Sequence, residues 1–140
     1  MDKNLKREII LDNYLNPVNK GLIKDKSYVK GKKSSSVCID HFDVQMKIKD
    51  GKIEDIRFDG EACAIATSAI SISISKLIGK TTKQALKIIK EYEKMINEEP
   101  YDEKILEELI VYSDIHKQPS RKNCATIGIQ ALKDLIEKNM

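Results

Sequence analysis

Aromatic side chains are scarce in this 140-residue chain: tryptophan is absent, phenylalanine occurs twice, and aromatics make up 5% of the composition. That removes the usual platform on which nucleobases stack. The net charge is a mild +3, whereas nucleic-acid domains usually carry a larger and more clustered basic excess. The Lys30-Gly31-Lys32-Lys33 run reads as a solvated loop, so no nucleic-acid partner is expected. No apolar run reaches the ~18 residues needed to span a bilayer. The first residues, Met1 to Glu8, lack the apolar core of a secretory signal. A cytoplasmic location without membrane attachment is the expectation. Histidine is limited to two residues and cysteine to three. An odd cysteine count in such a compartment argues against a disulfide framework. It leaves thiols that are reduced, buried, reactive or metal-bound.

What is present describes a globular chain: 41% of residues are hydrophobic and 34% charged. Its length suits one domain, residues 1–140, with a core of its own. Leu5, Ile9, Ile10, Leu11, Tyr14 and Leu15 share one face of an amphipathic helix over residues 2–15. Pro17 and Gly21 break it. From Lys24 to Ser36 the chain is polar, with room for a short edge strand at Tyr28-Val29. Phe42, Val44, Met46 and Ile48 alternate with polar residues, which predicts a half-buried strand. Asp50-Gly51 is a hairpin turn signal. Ile53, Ile56 and Phe58 form the return strand, with a bulge at Glu54-Asp55.

The Ala62–Ile78 run is too long for one strand and too poor in charge for the surface, so it predicts a buried helix packed across the hairpin, capped at Gly79. A helix from Thr81 or Thr82, a shorter one over Asp102–Tyr112, and a last one from Pro119-Ser120 complete the chain. The order predicts an α+β fold: a small antiparallel sheet of about three strands with helices packed on it.

Cys38, Cys63 and Cys124 fall in three different segments, and Cys38-Ile39-Asp40 adds a carboxylate beside the first. In extended chain Cys38 and Asp40 point the same way. Cys63 precedes the buried helix and Cys124 lies near the start of the last one. Helix N-termini favour thiolates. Thiolate and carboxylate ligands suit zinc, or iron with sulfide. Taken singly, each cysteine reads equally as a small buried hydrophobe. The other candidates are plainer. His41 reads as exposed on a strand and His116 as solvated. Ser68, Ser71, Ser73 and Ser75 read as packing residues, because no paired base is visible.

Four motifs, taken together, resemble the IscU/SufU-type iron–sulfur cluster assembly proteins, which are related to the N-terminal domain of NifU. Asp12–Gly21 carries an aromatic followed by Pro-x-Asn-x-Gly. Cys38-Ile39-Asp40 stands where the family has Cys-Gly-Asp. Gly60–Ser71 matches the pattern around the second cysteine and Arg121–Ala125 that around the third. Asn123 replaces the histidine that precedes the third cysteine in IscU. The Arg121-x-x-Cys124 arrangement and the long Glu98–Gln118 stretch are similar to the SufU branch.

The resemblance implies zinc held by Cys38, Asp40, Cys63 and Cys124, with Cys38 accepting persulfide sulfur and Arg121 in support. It implies a SufS/IscS-like cysteine desulfurase as partner, with apo-proteins or cluster machinery downstream. Such a protein is a sulfur carrier rather than a classical enzyme, at most a zinc-dependent sulfurtransferase. The alternative role is a scaffold for a transient [2Fe-2S] cluster. Two departures bear on geometry: Ile39 replaces a glycine, and Ser34-Ser35-Ser36 replaces an Asn-Pro approach, which predicts a looser loop.

Overall fold

In a computed structural model describing residues 1–140, the sheet grows outward from the Asp50-Gly51 turn. Both residues have positive φ, 52° and 73°, as a two-residue hairpin matched to strand twist requires. The turn joins β2 (His41–Lys49) to β3 (Lys52–Asp59), and β1 (Val29–Ser34) pairs antiparallel on the far side of β2. The order β1-β2-β3 gives three strands in one antiparallel sheet. Pairing slips between Lys47 and Ile48, opposite Glu54, which places the bulge where the alternation predicted it.

The free edge of β3 is partly covered by the segment after the first helix. Gly21 N–H donates to Phe58 O at 2.6 Å, and Phe58 N–H donates to Asn19 O at 3.2 Å. Asn19 adopts φ 54°, and its amide donates to Asp55 and to Ile56 O. The Pro-x-Asn-x-Gly motif is therefore an edge cover, which removes a free pairing template. Ser71 ties it to the interior, accepting from Val18 N–H at 2.9 Å and donating to Asn13 Oδ1 at 2.7 Å.

Five helices follow the expected order: α1 (Lys3–Leu15), α2 (Ala64–Leu77), α3 (Thr82–Ile96), α4 (Glu103–Leu106) and α5 (Pro119–Lys138). α2 is almost entirely buried from Ala66 to Ile74. It packs mainly between α1 and α5 and approaches the sheet chiefly at β3, so the hairpin is not its main partner as expected. α5 packs on the other side of β2 from β3, against β1 and β2, with Leu135 over Gly31. Gly79, at φ 88°, follows the end of α2.

Three further expectations need correction. α1 has no fully buried residue; only Ile9 and Ile10 press on the core, while Leu5, Leu11, Tyr14 and Leu15 stay exposed. β1 extends well beyond Val29, because pairing with β2 supplies the order that its lysine-rich sequence does not advertise. Residues 102–112 are not one helix. Glu107 takes φ 49° and splits a single α turn from a 3-10 segment, Glu107–Tyr112. No helix is long and apolar enough to cross a membrane.

Candidate metal centre

At one end of the sheet the β1–β2 loop, the start of α2 and the second turn of α5 meet. Cys38 Sγ, a carboxylate oxygen of Asp40 and Cys124 Sγ lie within 4.8 Å of one another. Cys63 is outside this mutual set but adjoins it. Its Sγ stands 3.7 Å from Asp40 Oδ2, and it lies near enough to the Cys124 thiol to affect its ionisation. Three of the four predicted ligands thus share one mutual set and Cys63 stands beside it; beyond the local Cys38–Asp40 pair the four lie 23 to 86 residues apart along the chain.

Local chemistry sets each of them. Asp40 is buried, and its Oδ1 accepts the Cys63 backbone N–H at 2.8 Å, which leaves Oδ2 turned to the sulfurs. Its own carbonyl accepts from Ser35 N–H at 2.8 Å. Ser35 Oγ in turn accepts the backbone N–H groups of Val37 and Cys38, both at 3.2 Å. Ser35 of the serine run therefore gives this loop hydrogen bonds of its own. Ile39 is absent from the residues with positive φ, so this chain makes the Cys-x-Asp turn without glycine. Cys38 itself is exposed, and its flanks are not polar: Val37 and Ile39 are 71% and 79% exposed. Gly60 lets the strands close behind the site. At φ 135° it sits so near His41 O that an added Cβ would fall 2.1 Å from it.

Cys63 is the N-cap of α2, and its sulfur accepts from Ala66 N–H at 3.4 Å. Cys63 thus sits at the helix start where the sequence placed it. Cys124 departs from expectation. It is the sixth residue of α5, past the free N–H groups of the first turn. Burial pushes its thiol pKa up, and the neighbouring Cys63 and Asp40 add to the rise. Arg121 is exposed and joins no ion pair. His41 is exposed at the head of β2 and outside the cluster; His116 is half-buried, with Nε2 3.6 Å from Glu98.

The donor set fits a tetrahedral ion. Zinc bonds of about 2.3 Å to sulfur and about 2.0 Å to oxygen place such ligands about 3.5 Å apart. The 3.7 Å between Cys63 Sγ and Asp40 Oδ2 is close to that edge. Three thiols with one carboxylate is a soft-donor set of the kind that zinc accepts.

Sequence reasoning missed the supports behind the thiols. Tyr112 hydroxyl pairs with Ser68 Oγ at 2.5 Å, and Tyr92 hydroxyl donates to Ala125 O at 2.6 Å. The available signal was chemical: a tyrosine on the inner face of a helix must find a partner for its hydroxyl.

Fold and donors together define a small α+β domain that gathers three thiols and a carboxylate at one end. The chain belongs to the family described as NifU-like N terminal domain, which it matches over residues 5–138. It is 32% identical over 135 residues to the zinc-dependent sulfurtransferase SufU of Bacillus subtilis (strain 168), covering 96% of this chain and 90% of that protein. It is 29% identical over 136 residues to the iron–sulfur cluster assembly scaffold protein IscU of Thermotoga maritima, covering 97% and 95%. The crystal structure of FiSufU from Fervidobacterium islandicum AW-1 matches with a TM-score of 0.85 at 27% identity, over 92% of this chain and 94% of that one.

Proposed function

We propose that this protein accepts sulfur from a cysteine desulfurase persulfide on Cys38 and hands it to iron–sulfur cluster assembly in the cytoplasm. Cys38, Asp40, Cys63 and Cys124 would hold a zinc ion. The observation that carries this reading is the meeting of Cys38, Asp40 and Cys124 within 4.8 Å, with Cys38 alone exposed. Similarity to a relative named as a zinc-dependent sulfurtransferase supports it.

The chain's own residues divide the work. Cys63 and Cys124 are fixed on helices, and Asp40 is fixed by the Cys63 N–H. Cys38 stands on a loop that Ser35 shapes but does not bury. When bound, zinc keeps its ligating thiols deprotonated near neutral pH. Were a donor on the partner's surface to take the place of Cys38 among the ligands, Cys38 would be free to act as a thiolate. That thiolate attacks the terminal sulfur of the partner's persulfide. The new S–S bond forms at Cys38, the old one breaks, and the partner's cysteine leaves as a thiolate. Arg121, three residues before Cys124 and free of ion pairs, is available to a partner's carboxylate. The protein then acts as a carrier, with no small-molecule substrate of its own.

Elemental analysis of wild type and Asp40→Ala, with desulfurase turnover measured on mixing, tests the reading. About one zinc per chain, lost in the variant, and faster turnover with wild type are expected. Zinc-free wild type that leaves turnover unchanged refutes it.

A second reading has its own support in the similarity to a scaffold protein: a transient [2Fe-2S] cluster assembled as cargo on the same ligands and passed to apo-proteins. Anaerobic reconstitution separates the two. A coloured, oxygen-sensitive, transferable species favours the scaffold, and a colourless product the carrier.

A further inference from the structure

We infer that Tyr92 and Tyr112 are positioning residues for the metal centre: this buried pair locks the helix turns that carry Cys63 and Cys124 at the spacing a shared ion needs. The inference rests on the metal reading above.

Two hydrogen-bonded arms run from the rings to the helix segments that carry the thiols. Ser68 Oγ donates to Ile65 O at 3.1 Å, and its oxygen pairs with Tyr112 hydroxyl at 2.5 Å. Ile65 is two residues after Cys63, in the turn that Cys63 caps. On the other arm, Tyr92 hydroxyl donates to the carbonyl of Ala125, the residue after Cys124. The rings meet edge to face, with centroids 6.3 Å apart and planes at 83°. Tyr92, Tyr112, Ser68 and Ala125 are all buried, at 1% exposure or less.

The hydroxyls are the informative part. Phenylalanine would fill the same volume, and burying a hydroxyl is unfavourable unless it is hydrogen-bonded. Tyr92 reaches the residue next to Cys124, Tyr112 reaches the first turn after Cys63 through Ser68, and neither tyrosine is itself among the ligands. The rings are stiff, with few rotatable bonds, and their edge-to-face contact adds orientation to packing. Tyr92 lies on α3 and Tyr112 in the 3-10 segment, so neither belongs to the helices it braces. They act one bond further out than groups that hydrogen-bond a ligand directly, by holding the backbone that carries it.

The test uses Tyr92→Phe and Tyr112→Phe, with Tyr28→Phe as control. Tyr28 donates an equally short hydrogen bond, 2.5 Å to Asp55, at the far end of β1 from Cys38. Zinc affinity is read by chelator competition, and ligand geometry by the visible spectrum of the cobalt-substituted protein. The two site variants should bind zinc about ten- to hundredfold more weakly and shift the cobalt bands. Tyr28→Phe should lose thermal stability while keeping both signatures. Phenylalanine variants with wild-type zinc affinity and cobalt spectra overturn the inference, whatever their stability. Should Tyr112→Phe fail to fold, Ser68→Ala removes the same arm with less change in volume and carries the same expectation. Wild type that takes up no zinc overturns the metal reading itself, a different outcome from zinc-loaded wild type with indifferent variants.

Discussion

Asp40 and Cys63 hold each other twice: the Cys63 backbone N–H donates to Oδ1 at 2.8 Å, and its sulfur stands 3.7 Å from Oδ2. One carboxylate oxygen therefore supports the fold and the other faces the thiols. These roles separate by substitution. Asp40→Ala strands the Cys63 N–H and should cost about 1–3 kcal/mol in the metal-free protein. Asp40→Asn keeps a carbonyl acceptor for that N–H and should unfold in urea close to wild type. Both should lose zinc. An asparagine variant that is as unstable as the alanine one would show that the N–H contact contributes nothing.

Gly128 sits where α5 crosses α2, one turn beyond Cys124. A Cβ there would lie 2.7 Å from Ile70 Cβ. Replacing a helix-interior glycine by alanine ordinarily stabilises by about 0.5–1 kcal/mol. Here the sign should reverse. Gly128→Ala must push two buried helices apart, at about 1–3 kcal/mol, and should loosen zinc as well, since Cys63 and Cys124 ride on those helices. Urea unfolding with zinc competition checks both. A stabilised variant would mean that the helices yield easily.

The hairpin and α3 were legible because their signals are local. The Asp50-Gly51 turn, the bulge at Glu54-Asp55 and the start of α3 at Thr81 or Thr82 depend on near neighbours. β1 was not, since residues 29–34 offer no apolar alternation and their pairing is decided by β2 and by Leu135 above Gly31. Apolar spacing also cannot show that Glu107 turns to positive φ and converts an expected helix into a 3-10 segment. The same division holds at the site. Each cysteine was visible as a candidate, but their convergence came from the joint family motifs, not from spacing. The buried environment of Cys124 depends on packing around α5, which its own sequence neighbours do not encode.

Glu91 supplies an acid-sensitive lock remote from the thiols. It is buried on α3, with its carboxylate 3.2 Å from Lys87, 3.1 Å from Lys94 and 3.0 Å from Asp102 N–H. The Lys94 contact first, then the Asp102 N–H, lowers its pKa from the ordinary 4.5 to about 2. A depressed carboxylate stabilises the fold above its unfolded pKa, and that contribution fades as pH falls through the folded one. Glu91→Gln keeps an acceptor for Asp102 but has no charge to lose. On chelated protein the melting temperature of wild type should exceed that of the variant near neutral pH. The gap should close between about pH 4.5 and about pH 2. A gap that stays constant to low pH would show that the charge is irrelevant.

The three thiols are graded by access: Cys38 is exposed, Cys63 half-buried and Cys124 buried. Alkylation needs both thiolate and access. In chelated protein, iodoacetamide should therefore modify Cys38 first, then Cys63, whose sulfur receives the Ala66 N–H at the start of α2. Cys124 should come last, because burial disfavours its thiolate and hinders the reagent. Adding zinc should slow all three if they share an ion, and Cys38 should remain the fastest, since it is the most exposed of them. Peptide mass spectrometry after timed quenching reads the order directly. Zinc that protects Cys63 and Cys124 while leaving Cys38 at its metal-free rate would remove Cys38 from the ligand set. That result would leave Asp40 and two cysteines as an open three-ligand site with a free acceptor thiol beside it.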